Sequence, residues 1–210
     1  MNNLGVFIYN IVLDTTHTPD EKQLYGILER SAPEYELRRL LGAFKIPYVT
    51  YLINKIYDKR YICVCADTET ARALFMHSMI GSACALGENS DIDEQNINRF
   101  NKGDVEHLFI TPQTYIPELK DVDAVVFAQP SVDDIATLNG ILPAMHESEH
   151  PKVYFFMHHD TIDCALKNDV WDISPTTTEV EFPYNRLTKE RTWTTATSFT
   201  QEKACSSVPS

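Results

Sequence analysis

Arg60-Tyr-Ile-Cys-Val-Cys-Ala66, His107-Leu-Phe-Ile-Thr111, Lys120-Asp-Val-Asp-Ala-Val-Val-Phe-Ala128 and Lys152-Val-Tyr-Phe-Phe-Met157 are the runs that decide the fold. Each is a short apolar stretch followed by a polar turn, and most lead into a segment with helical spacing. Strands alternating with helices in this way predict an α/β domain, an open parallel sheet with helices on its faces.

Working outward, Leu4 to Leu13 is rich in branched and aromatic side chains and predicts a further strand. Thr18-Pro-Asp-Glu21 has the form of a capping box, so a helix is expected from there to about Arg30. Glu34 to Phe44 is expected to be helical, and Pro47 to open a separate helix with Val49, Leu52, Ile53 and Ile56 as its stripe. Helices are also expected over Thr68 to Met79, over Asp91 to Asn101 with Ser90 as cap and Gly103 as stop, and from Ser131 to about Leu142. Ser82 to Leu86 and Thr176 to Phe182 complete the strands, and Thr161 to Lys167 is a short helix. The domain division that follows is an N-terminal strand and helical arm at 1–59, a lobe at 60–170, and a C-terminal strand and polar tail at 171–210.

The formal net charge of −12 favours cationic partners and argues against a broad footprint on nucleic acid, whose phosphates demand neutralisation. Five cysteines with no Cys-x-x-Cys spacing read as reduced thiols rather than zinc ligands, with Cys63 and Cys65 expected on opposite faces of their strand. No apolar run approaches the ~20 residues that span a bilayer, and a cytoplasmic protein with no membrane association is expected.

The order of these pieces resembles the C-terminal RecA-like lobe of superfamily 2 helicases and translocases, especially the chromatin-remodeller-like branch. The resemblance rests on Tyr61-Ile-Cys-Val-Cys-Ala66 with its following helix, the Phe-x-x-Gly at Phe100 to Gly103, and the threonine ending Leu108-Phe-Ile-Thr111. Val153 to Asp163, with its Thr-Ile-Asp helix start, and the opening Thr-Pro-Asp-Glu-Lys-Gln-Leu-Tyr25 are similar as well. What it implies is a RecA-like lobe over roughly residues 4 to 168.

The chain departs from the family where chemistry would sit. Only seven glycines are present and no G-x-x-x-x-G-K-[ST], so the phosphate-cradling first lobe is expected to be absent. The family's Gln-x-x-Gly-Arg-x-x-Arg falls by register on Thr137-Leu-Asn-Gly-Ile-Leu-Pro-Ala144, leaving Gly140 but placing Ile141 and Ala144 where arginines stabilise phosphoryl charge. Ile116 and Glu118 replace a Gly-x-Asp after Thr111, and Asp93 takes the approximate place of another arginine. The expectation is a protein that is not an ATPase, with no catalytic residues, no cofactor and no metal.

Binding candidates remain. The basic helices carry Arg38, Arg39, Lys45, Lys55, Lys59 and Arg60, and read first as a solvated face. Thr111, Arg99, Lys102, Arg38, Arg39 and Lys55 are the candidates for contact with a partner or nucleic acid, since the ends of these strands touch the sugar–phosphate backbone in the family. Glu88, Asp91, Asp93 and Glu94 form a candidate acidic partner patch. His158-His-Asp160 with Asp163 follows a strand and offers metal-binding side chains, but adjacent histidines tend to point apart and a structural turn is the simpler reading. His146, Glu147, Glu149 and His150 read as a solvated connection, and no serine has a hydrolase context.

Three functions follow as expectations. The first is a non-catalytic lobe that docks on a helicase, polymerase or repair or defence complex. The second is one lobe of a split ATPase. The third is a nucleic-acid-binding module, with nucleic acid otherwise reached only through a protein partner.

Overall fold

The computed structural model describes residues 4–13, 20–78, 81–112, 114, 118–131, 134–146, 148–174 and 177–181. Its centre is a seven-stranded sheet: β1 (Gly5–Ile11), β2 (Tyr61–Val64), β3 (Ser82–Ala85), β4 (His107–Ile110), β5 (Ala124–Phe127), β6 (Lys152–His158) and β7 (Thr178–Glu181). The strands lie in the order β3-β4-β2-β5-β6-β1-β7 and every pairing is parallel. The first strand, grouped by sequence with an N-terminal arm, sits inside the sheet between β6 and β7, with Gly5 opposite Lys152 and Phe7 opposite Thr178.

Central strands of a parallel sheet are buried on both faces, which explains their unbroken apolar runs. Every residue of β2, β4 and β5 is buried. Alternate side chains feed two cores. Ile62, Val64, Leu108, Ile110, Val125, Phe127, Val153 and Phe155 face one side. Helices α4 (Ser90–Asn101), α5 (Asp134–Ile141) and α6 (Lys167–Ile173) cover it through Ile97, Phe100, Leu138, Ile141 and Val170. Tyr61, Cys63, Phe109, Val126, Tyr154 and Phe156 face the other side, under α2 (Glu34–Lys55) and α3 (Thr68–Met76). A third, smaller cluster of Leu13, Tyr25, Leu37 and Leu41 joins α1 (Glu21–Leu28) to the first half of α2.

Several expectations are corrected. Pro47 does not open a new helix, because α2 runs through it for 22 residues. The apolar stripe on both sides of the proline is buried, and that packing outweighs the lost ladder bond. Asn89, not Ser90, caps α4 by accepting from the Asp91 and Ile92 amides. Thr18 lies outside the described residues, and α1 is capped by Asp20, whose carboxylate accepts from Gln23 N. Cys63 and Cys65 are on the same face, as residues two apart on a strand must be, with their sulfurs 4.0 Å apart. That contact and burial push the Cys65 thiol well up, away from the reactive thiolate. A 3₁₀ helix at Ile162–Leu166 continues into α6, which has no counterpart in the sequence reading. Among the described residues no helix is long and apolar enough to cross a membrane.

Candidate functional site at the carboxyl edge of the sheet

All seven strands end on one edge, and open α/β sheets take their ligands outside that edge. Here α1 and the first half of α2 lie across it. Lys45, wholly buried on α2, donates to Asp163 Oδ2 at 2.5 Å, and the same oxygen accepts from His158 N at 2.9 Å. Burial pulls the Lys45 pKa down and the Asp163 carboxylate opposes it. The His158 ring is fully buried and edge-on to Phe44, with Nδ1 3.9 Å from Asp163 Oδ2 and neither ring nitrogen hydrogen-bonded. Burial, reinforced by the Lys45 charge, holds its pKa well below the usual value, so the imidazole is neutral.

Gln129, after β5, fastens three neighbours. Its Oε1 accepts from Ala66 N at 3.0 Å, and its Nε2 donates to Asp67 Oδ2 at 2.6 Å and Arg38 O at 3.3 Å. Asp67 also caps α3 through Thr70 N at 2.7 Å. Arg38 donates to Pro130 O at 2.9 Å while Glu34 takes its other nitrogens. Tyr25 Oη accepts from Ile162 N at 3.0 Å.

Asp134 is buried at the start of α5 and accepts from Ser131 N and Oγ. Burial pushes its pKa up to about 7 despite those bonds and the nearby Lys45 and Arg38 charges. Its unfolded value is about 3.9, so the folded state holds this proton more tightly. The resulting stabilisation is complete below about pH 4 and is lost as pH rises towards 7, at about 1.4 kcal/mol per pH unit. Asp134→Asn cannot titrate, so the variant should gain on the wild type across that interval. Urea unfolding of both proteins at about pH 4.5, 5.5 and 6.5 checks this, and a constant difference would refute it.

The sequence-predicted residues do not form one surface. A helix returning from a parallel strand begins at the carboxyl edge and ends at the amino edge. Thr111, Arg38 and Arg39 are therefore at the first edge, while Lys55, Arg99 and Lys102, at the ends of α2 and α4, are at the other. Thr111 is fully buried and donates to Leu86 O at 2.9 Å. Arg39 pairs with Glu69, and the Lys55 ammonium lies 4.9 Å from the Tyr51 ring centre. Arg99 reaches Asn96 at 3.3 Å, and Lys102 is exposed at the end of α4.

The acidic group is likewise divided. Asp93 accepts from Leu86 N and Gly87 N, tying α4 to the end of β3, and Glu88 pairs with Arg72. Asp91 and Glu94 remain as exposed carboxylates. The imidazoles of His158 and His159 do point apart: the first is buried, while the second is exposed and 3.2 Å from Asp160. Among the described residues no three His, Cys, Asp or Glu side chains are grouped to hold a metal. Ile141 and Ala144, at the register of the family's arginines, are buried in the core. Glu147 and Ile116 lie outside the described residues.

Lys45 and Asp163 are the pair that sequence reasoning missed. The signal was present, because Lys45 falls in step with Leu37, Leu41, Tyr48 and Leu52 on the buried stripe of α2.

No protein-family model matches the chain, and no curated protein sequence does. Solved structures do. S. cerevisiae Dbp5 bound to RNA and ADP BeF3 is similar with a TM-score of 0.57 at 13% identity, over 85% of this chain and 41% of that one. T4 UvsW has a TM-score of 0.58 at 10% identity, over 85% and 41%. The C-terminal part of the Fun30 ATPase domain has a TM-score of 0.50 at 11% identity, over 75% and 66%. The chain thus spans about two fifths of the Dbp5 and UvsW structures. With them it shares an α/β fold of the RecA-like kind, an open parallel sheet with helices on both faces.

Proposed function

We propose that this chain is a non-catalytic, helicase-lobe-like protein that docks on another macromolecular complex, as an inhibitor, decoy or accessory factor of a helicase or polymerase machinery. The observation that carries the reading is the state of the carboxyl edge. Among the described residues at this edge, Lys45, Arg38, Gln129 and Thr111 already donate to Asp163, Pro130, Asp67 and Leu86. Ile141 and Ala144 are packed in the core, and neither can neutralise a phosphoryl group. The net charge of −12 favours a cationic protein surface over bare nucleic acid.

A second reading, one lobe of a split ATPase, is favoured by the likeness to Dbp5, which binds RNA and ADP BeF3 in the similar structure. Calorimetry with ATP and magnesium, alongside a hydrolysis assay on the pure chain, separates the two. The docking reading expects no binding heat and no turnover, together with a stoichiometric complex with a helicase or polymerase subunit recovered from the native host. Turnover by the chain alone overturns it. DNA-stimulated hydrolysis that appears only on adding that subunit establishes the split enzyme instead.

A further inference from the structure

We propose that α1 and the first half of α2 form a hinged cap that closes the carboxyl edge of the sheet and opens by swinging about Pro47. The two halves of α2 belong to different cores. Tyr48, Val49, Leu52 and Ile53 pack into the main sheet core, whereas Leu37 and Leu41 belong to the small third cluster with Leu13 and Tyr25, edged by the partly buried Leu28, Leu40, Phe44 and Ile162. Pro47 stands at the join. Having no N–H, it leaves the Ala43 carbonyl without its ladder bond, so the helix is weakest where its two cores part.

The cap is fastened by a short set of contacts. Tyr25 holds Ile162 N, Arg38 holds Pro130 O, Gln129 holds Arg38 O, Lys45 holds Asp163 and Arg39 holds Glu69. Breaking the Lys45 pair during opening is offset by rehydration of two desolvated charges. Among the described residues, the cap's cluster has four buried apolar members and four partly buried ones, against 24 and 19 buried in the two sheet cores, so the cap should open well below the free energy of global unfolding. Opening uncovers His158, whose ring nitrogens have no hydrogen-bond partner, together with Asp163 and Gln129, at the place where α/β sheets take ligands. The cap is thus an internal occupant of that edge, and its movement does not depend on the docking reading.

Native-state hydrogen exchange on the full chain, read by mass spectrometry, tests this. Amides of residues 21–45 should exchange together and faster than those of β2, β4 and β5. Tyr25→Phe removes the acceptor for Ile162 N and should speed exchange of the whole cap about 5- to 30-fold, leaving the sheet unchanged. Pro47→Ala restores the ladder bond and should slow cap exchange. The proposal is overturned if the cap exchanges only with the sheet, or if Tyr25→Phe speeds both alike or speeds neither. Unchanged or faster cap exchange in Pro47→Ala overturns the hinge.

Discussion

Replacing Lys45 by methionine is expected to cost the fold about 3–5 kcal/mol, since it leaves a carboxylate buried without its cation. The methionine fills much of the volume of the lysine stem, so the loss comes from Asp163 rather than from a cavity. Asp163 is nearly inaccessible, and the His158 amide cannot supply the missing charge. The double variant Lys45→Met/Asp163→Asn should recover most of that loss. An asparagine oxygen still accepts from His158 N, and no uncompensated charge remains. Urea unfolding of the three proteins gives the result directly. A single-variant loss under about 1 kcal/mol, or no recovery in the double variant, would show that the pair is not buried as described.

Gly42→Ala is the second large effect. A Cβ there would lie 1.9 Å from Gln129 Nε2 and 2.4 Å from its Cδ. A glutamine end can usually move aside, but this one is held by Ala66 N, Asp67 Oδ2 and Arg38 O. Displacing it breaks those bonds and strands a buried amide, for an expected loss of about 2–4 kcal/mol. Gln129→Ala alone should also destabilise the protein, by freeing the Ala66 amide. The two substitutions together should cost clearly less than their sum, because the methyl enters the space the glutamine vacates. Additive losses in thermal unfolding would falsify the contact.

What the sequence made legible follows from where side-chain pattern and environment agree. The strands from Tyr61, His107, Ala124 and Lys152 are buried on both faces, so their apolar runs announced them and the parallel sheet together. Gly103 stops α4 with φ of 79°, a left-handed backbone that favours glycine, and the sequence marked that stop. Pro47 misled, because propensity argues for a break while packing on both sides holds one helix. The candidate site was harder to read, because each member has an ordinary local explanation. Asp163 looks like a helix-start residue and Lys45 like one cation in a basic stretch, yet they meet across 118 positions of chain. Arg38, Arg39, Lys55, Arg99 and Lys102 were grouped by charge. Their placement depends on which way each helix runs, which charge does not encode.

The strand order has a bearing on how the chain is born. β1 is made well before its neighbours in the sheet, Lys152–His158 and Thr178–Glu181, so neither is there to pair with it when it leaves the ribosome. Until then Val6, Ile8 and Ile11 stay without the cover they have in the finished molecule. Pairing at such separation is slow, and an unmatched apolar strand invites contact with other chains. During synthesis β1 is thus a strand of the kind that chaperones shelter.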